Sequence, residues 1–349
     1  MATKNANGED SILQQNAPVI YCWACRTLVQ VPYHQGKLAS EFKCGWCHAV
    51  SSYGPDPRRS KKQRSSKCAR ILTQCVSYSA VIVVVLLLSS MMGLGFSIVL
   101  PHIVLKPISL AVHRTIVAIM SANILFNYFA CSLRSPGIPN SVIPSVTDVE
   151  GRWHMPQGAC DNYRFCHQCQ NSKPPGTHHC SICGKCIADM DHHCPFIGNC
   201  VGRANLRCFL VFLIWALVGT LYAAVMTGRL LIRDWDEFSA RRRGFRGIPV
   251  MGLMFVDLTT APGWFLAAGY IFMVSIGTFL GMGVLFHSQM MQVLSGRSYI
   301  SSLKGVAADE KGSRMVRLSK VFGNGHPITW LLPRWSDPRE RQDAAGKAF

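Results

Sequence analysis

Four long apolar runs frame this 349-residue chain. The first, about Val76 to Leu100, contains Val81-Ile82-Val83-Val84-Val85-Leu86-Leu87-Leu88, carries no charge and stops at Pro101. The second, about Leu110 to Leu133, is weaker, with His113 and Arg114 near its outer end. The third runs from about Leu206 to Ile232 and the fourth from about Pro262 to Phe286. About 20 apolar residues in a helix cross the roughly 30 Å of a bilayer's hydrocarbon, and a helix satisfies its own backbone there. The pattern predicts an α-helical integral membrane protein with four transmembrane helices. Spans one and two form a hairpin over 76–133, and spans three and four, with an outer loop, fill 206–287. Four crossings return both termini to one side.

The polar stretches divide the rest. Residues 1–17 are uniformly polar and predict a disordered N-terminus. Residues 18–53 read as a zinc-ribbon-like module, 54–70 as a basic linker, 134–205 as a central loop and 288–349 as a C-terminal tail. Residues 1–20 lack the apolar core of a signal peptide, so the N-terminus is expected in the cytosol with span one as signal anchor.

Composition agrees with a membrane protein: apolar residues make up 49% and charged residues 15%. The net charge is +18. The cations flank the apolar runs rather than covering one basic domain, so an anionic membrane surface explains them without nucleic acid. Seven lie at Arg58, Arg59, Lys61, Lys62, Arg64, Lys67 and Arg70, and ten more lie in the tail. The positive-inside rule then puts both termini and the central loop in the cytosol. Arg233, Arg241, Arg242, Arg243 and Arg246 in the outer loop run against that rule, but three basic segments outweigh one.

Residues Cys166 to Cys200 hold seven cysteines and five histidines in 35 positions. Cys166-x2-Cys169, His179-Cys180-x2-Cys183-x2-Cys186, His193 and Cys200 supply six thiolates and two imidazoles. Two tetrahedral zinc ions need eight ligands, so the count gives two Cys3His sites, paired either sequentially or interleaved. With little apolar material nearby, the metals become the scaffold of the loop. Upstream, Cys22-x2-Cys25 and Cys44-x2-Cys47 make a four-thiolate site for a third structural zinc. The segment Cys22-x2-Cys25-Arg26-Thr27-Leu28, with Gly36 and the second knuckle, resembles the LSD-type zinc finger of plants, with a longer middle spacer. The remaining cysteines are Cys68, Cys75, Cys131, Cys160 and Cys208; Cys68, Cys75 and Cys208 lie near membrane boundaries, where acylation is one use and inert packing the commoner one.

That leaves Asp191, His192 and Cys194. An imidazole two residues from a thiol can take its proton, and a carboxylate can fix the ring's tautomer and stabilise its cation. The thiolate is the attacking species, so this set reads as an activated nucleophile. Cys194 lies about a dozen residues before span three, which keeps it near the headgroups. Lys173, Lys185, Arg203 and Arg207 are candidates, by charge alone, to hold a phosphate-bearing cosubstrate.

Asp191-His192-His193-Cys194-Pro195, followed by Asn199-Cys200-Val201-Gly202 and Asn205, resembles the cysteine-rich domain of DHHC-type protein S-acyltransferases. The four-span layout with a central cytosolic loop agrees. The resemblance implies transfer of a palmitoyl-type group from acyl-CoA, through a thioester on Cys194, to cysteines of substrate proteins at the cytosolic membrane surface. His192 acts as base and Asp191 orients it. It implies the interleaved pairing: Cys166, Cys169, His179 and Cys186 on one zinc, and Cys180, Cys183, His193 and Cys200 on the other. It also implies an acyl cavity between the spans, in an endomembrane (Golgi or endoplasmic reticulum) or the plasma membrane. The chain departs from the family pattern at Phe196, at Ser135-Pro136-Gly137, at Gly176, at Ser298-Tyr299-Ile300-Ser301 and at Arg317, none of which removes a catalytic atom or a metal ligand. The alternative reading is a non-catalytic zinc-dependent membrane scaffold, which would have no need of Asp191, His192 and Cys194 together.

Overall fold

A computed structural model describes residues 17–34, 37–54, 66–139, 146–147, 153–236, 261–296 and 313–334. The predicted disorder over 1–16, the linker stretch 55–65, the outer-loop arginines from Arg241 to Arg246, the segment Ser298 to Ser301 and the tail beyond 334 lie outside the described residues.

Four described helices are long and apolar enough to cross a membrane. Helix α1 (Ser66–Leu94) continues through a π turn (Gly95–Val99) into a last turn (Leu100–Ile103). Helix α2 (Pro107–Leu133) opens with proline in its first turn, where the missing N–H costs nothing. Helices α3 (Leu206–Arg233) and α4 (Gly263–Ser295) complete the set. Helix α3 is the most buried and packs between α4 and α2.

Helix α4 runs past the Phe286 end expected from hydropathy and reaches Ser295. His287 to Ser295 lose apolar character but keep residues that favour helix. Gly296, left-handed at φ 67°, ends it and donates to the carbonyls of Gln292 and Val293.

Outside the helices the chain folds as short antiparallel hairpins. Strands β1 (Val19–Tyr21) and β2 (Leu28–Gln30), β3 (Tyr33–His34) and β4 (Lys37–Leu38), and β5 (Glu41–Lys43) and β6 (Val50–Ser52) form the N-terminal module. Strands β7 (Val146–Thr147) and β8 (Trp153–His154), β9 (Arg164–Cys166) and β10 (Asn171–Lys173), β11 (His178–Cys180) and β12 (Lys185–Ile187), and β13 (His192–Cys194) and β14 (Asn199–Val201) form the central loop. One local geometry recurs. The residue after the second cysteine is left-handed in four of the five Cys-x2-Cys steps: Arg26 (φ 59°), His48 (φ 61°), Gln170 (φ 51°) and Gly184 (φ 68°). Arg26, His48 and Gly184 each donate a backbone N–H to the carbonyl of the first cysteine, at 2.9, 3.0 and 2.9 Å. Three of the four are not glycine, so each turn carries a steric cost of about 1–2 kcal/mol that metal closure can offset.

Two asparagines tie this loop to the bundle. Asn199 Nδ2 donates to the carbonyls of Cys131 (3.2 Å), Ser132 (3.1 Å) and Arg134 (2.7 Å). Asn205 Nδ2 donates to those of Cys131 (3.1 Å) and Cys200 (2.8 Å). The last carbonyls of any helix lack intrahelical donors, and here the end of α2 gets them from the loop. Gly202 lies where a Cβ would come within 2.6 Å of both Ile187 Cγ2 and the Pro136 carbonyl oxygen, so only glycine fits.

The C-terminal segment packs on α3 through helix α5 (Arg314–Phe322), capped by Ser313, and a turn at Pro327–Trp330. Val321 and Phe322 bury against Leu210 and Val211. Buried Arg207 donates to the carbonyls of Trp330 and Leu332, both at 3.0 Å, and Trp215 Nε1 to that of Leu331 at 3.0 Å.

Candidate active site and metal clusters

The pleat of β13 sorts its residues. Successive side chains on a strand point to opposite faces, so His192 and Cys194 share one face and His193 takes the other. The register with β14 extends the sorting, because His193 stands opposite Cys200, Cys194 opposite Asn199 and His192 opposite Val201. One face therefore presents His193 and Cys200. The other presents His192, Cys194, Asn199 and Val201, and Cys194 and Val201 join a buried cluster with Phe209, Phe212 and Leu213 of α3. Strand β11 repeats the arrangement: His179 faces Cys186 across the ladder, and Cys180 points the opposite way.

These parities help to assemble two four-donor clusters, Cys166, Cys169, His179 and Cys186, and Cys180, Cys183, His193 and Cys200, and the two N-terminal knuckle turns bring together a third, Cys22, Cys25, Cys44 and Cys47. Within each, the donor atoms lie within 4.8 Å of one another. The structure thus brings together the interleaved sets rather than the sequential ones. Both histidines present Nδ1 to the sulfurs; His179 Nδ1 is 3.2 Å from Cys169 Sγ, and His193 Nδ1 is 3.4 Å from Cys183 Sγ. Hydrogen bonds from Cys183 and Cys200 lower the Cys180 thiol while the same contacts raise that of Cys200, so the cluster shares its protons, and a metal ion would take their place. Four soft donors in this spacing fit zinc, with every position filled by protein, as in a structural site.

The other face of β13 carries the candidate catalytic residues. His192 Nδ1 is 2.7 Å from Asp191 Oδ2. Asp191 is buried, and its backbone N–H donates to the Val201 carbonyl at 2.9 Å. Burial disfavours the imidazolium of His192, but hydrogen bonds with Asp191 and Cys194 outweigh it and raise the ring to about 9. The ring sits edge-on to Phe209, centroids 5.7 Å apart. Cys194 lines a cavity of about 530 Å³. Its wall is apolar, from Phe196, Phe209 and Leu213 beside the thiol to Val99, Ile103 and Thr227 at the far end. At 1.5 Å per residue, the interval from Phe209 to Thr227 on α3 is about 27 Å, which suits a long alkyl chain.

Two contacts at these sites come from residues that the sequence reading did not single out. Gln289, buried on the extended end of α4, donates from Nε2 to the same Asp191 Oδ2 at 2.9 Å. Ser77 Oγ, buried on α1, lies 3.4 Å from His193 Nε2, the ring nitrogen turned away from the sulfurs. The first amide past an apolar run, about one turn beyond its end, is the signal that points to Gln289; nothing marks Ser77. The proposed cosubstrate cations separate: Arg207 is buried against the C-terminal segment, and Arg203 pairs with Asp189 at 2.9 Å. Cys131, Cys160 and Cys208 are buried, and Cys75 is exposed.

A thiol, an imidazole and a carboxylate on a loop with metal-binding clusters, beside a long apolar cavity between membrane helices, fit a membrane-embedded acyltransferase. Residues 159–305 match the family model described as DHHC palmitoyltransferase. The chain is 28% identical over 235 residues to "Probable protein S-acyltransferase 16" of Arabidopsis thaliana, covering 64% of this chain and 75% of that one. It is 26% identical over 236 residues to "Probable protein S-acyltransferase 13" of the same plant (64% and 72% covered), and 49% identical over 74 residues to "Palmitoyltransferase ZDHHC2" of Mus musculus (21% and 20%). The chain thus carries a DHHC palmitoyltransferase domain and is similar, over 64% of its length, to curated plant protein S-acyltransferases.

Proposed function

We propose that Cys194 is the nucleophile of a two-step transfer of a palmitoyl-type group from acyl-CoA to cysteines of substrate proteins. His192 takes the proton of the Cys194 thiol. The thiolate attacks the thioester carbonyl, the bond to coenzyme A sulfur breaks, and that sulfur leaves with the proton. A substrate cysteine then attacks the Cys194 thioester with His192 again taking the proton, and Cys194 is released as a thiol. Each step exchanges one thioester for another, so placement and a good nucleophile suffice.

The single observation that carries this reading is the shared face of His192 and Cys194 opening on the apolar cavity. Asp191 holds the ring's tautomer and stabilises its cation. Zinc, held by the eight donors of the central loop, supplies shape and takes no part in the transfer. The central loop and both termini lie in the cytosol on this reading, where coenzyme A thioesters and reduced cysteines coexist.

The test uses purified protein in detergent with acyl-CoA labelled in the acyl chain. A hydroxylamine-sensitive label on the protein is expected, and it should be lost in Cys194→Ser. Undiminished labelling of that variant would sink the nucleophile assignment. An intact, zinc-loaded protein that takes no label would favour a scaffold.

A further inference from the structure

The N-terminal module is not a bead on a string. Its four-thiolate cluster packs directly on the first residues of the central loop. Cys160, fully buried, joins Cys22, Cys44, Cys47 and Ala49 in one cluster with Met155 and Tyr163 at its edge. Three backbone hydrogen bonds cross the junction: Cys160 N to the Cys47 carbonyl (2.9 Å), Gly158 N to that of Trp46 (2.9 Å) and Val50 N to that of Tyr163 (2.7 Å). Trp46 Nε1 donates to the Met155 carbonyl at 2.8 Å. Lys43 pairs with Asp161 and Glu41 with Arg164, both at 2.8 Å. Trp23 packs on Phe165, centroids 5.6 Å apart.

These contacts converge on β9. Arg164 and Phe165 touch the module, and the next residue, Cys166, is a donor of the first central cluster. Its hairpin with β10 has three residues per strand, and a lone hairpin of that size does not hold itself in water. One side of it is closed by the central cluster and the other by the N-terminal module.

We propose that the N-terminal zinc module and the first central zinc site form one cooperative unit, in which metal in the Cys22, Cys25, Cys44 and Cys47 cluster holds β9 in place and so holds Cys166 and Cys169 for the neighbouring ion. This rests on reading all three clusters as zinc sites. Coupling of this kind is reciprocal: loss of the central ion loosens the N-terminal one by the same factor. The second central site, anchored to α1 through Ser77 and to α2 through the asparagines, stands outside the unit.

The experiment measures zinc content and release to a colorimetric chelator from the full chain in detergent. In the paired substitution Cys22→Ser with Cys47→Ser, one of the two remaining ions is expected to leave about tenfold faster and the other at its original rate. Should that variant not fold, the ion pair offers a milder probe. Glu41→Arg or Arg164→Glu alone should speed release about two- to fivefold, and the two together should restore it. Hydrogen exchange over 156–173 should rise and fall in parallel. Unchanged release of both remaining ions would overturn the proposal, as would charge reversals without effect or without rescue. Cys194→Ser must leave release unchanged, so failure of the catalytic reading is seen separately. A full-length protein that purifies without zinc would overturn the metal reading and this proposal together.

Discussion

His192 and His193 are neighbours in the chain, yet the pleat gives them different partners. His193 Nδ1 meets three sulfurs, and His192 Nδ1 meets Asp191. Asp191 in turn depends on Gln289, whose amide N–H reaches the oxygen that also faces the ring. A hydrogen bond to a buried carboxylate is worth about 1.5–3 kcal/mol, so Gln289→Ala should slow Cys194 labelling about ten- to a hundredfold with zinc content unchanged. Equal labelling rates would remove Gln289 from the machinery. The raised His192 ring also predicts a pH dependence. Its folded value, about 9, lies above the ordinary 6.5, so its contribution to stability is fully present below about 6.5 and is lost as pH rises through about 9. The Tm gap between the protein and Asp191→Asn should therefore be widest near pH 6, where Asp191 is ionised and the ring protonated, and narrow as pH rises through about 9. Gly202→Ala should cost about 1–3 kcal/mol, read as a lowered Tm, because its Cβ would strike Ile187 and the Pro136 carbonyl oxygen.

Among the elements, the spans were legible from hydropathy because lipid demands a long uncharged run. The same signal was blind to the helix beyond the membrane. Hydropathy measures where lipid ends, not where helix ends, so it missed the turns of α4 that carry Gln289. The start of α1 was hidden for a similar reason: it begins at Ser66, ahead of the apolar run, and Ser77 sits near its lower edge. A ligand histidine is oriented by the partner of its other ring nitrogen, and losing such a partner typically costs 10- to 100-fold in metal affinity. Ser77→Ala should accordingly speed zinc release from the second central site by at least several-fold, measured with the same chelator. The Arg317 departure finds its account here too. Its guanidinium donates to the Leu294 carbonyl at 2.6 Å, so helix α5 holds the end of α4 with a cation. Ser135-Pro136-Gly137 keeps its docking through the backbone: the Gly137 carbonyl accepts from Ala188 (2.8 Å) and that of Pro136 from Ala204 (3.1 Å). Both bonds are made by the backbone alone, so the side chain at Ser135 takes no part in them.

For the whole molecule, the chemistry was more legible than its setting. Ligand counting gave eight donors but not their pairing, because pairing depends on which face of a three-residue strand each donor occupies. The cavity was expected from the family resemblance alone and not from the residues that line it, since its wall is drawn from all four helices and looks like any apolar packing. It makes a prediction at this scale. Ala223→Phe, on the cavity wall along α3 from Cys194, should suppress labelling from long-chain acyl-CoA while sparing short-chain donors. Equal loss for both lengths would separate the cavity from chain binding.

The alternation along β13 works as a reading frame with two phases. On the proposed mechanism, one phase serves metal and the other the thioester. A one-residue insertion between His193 and Cys194 would conserve every functional side chain and shift the nucleophile into the metal phase. Cys194 would then stand beside the zinc thiolates, and His192 would face the cavity alone. Such a protein would have the composition of an acyltransferase and the behaviour of a zinc store. Substitution scans never sample that kind of change, and insertion scans through this strand would.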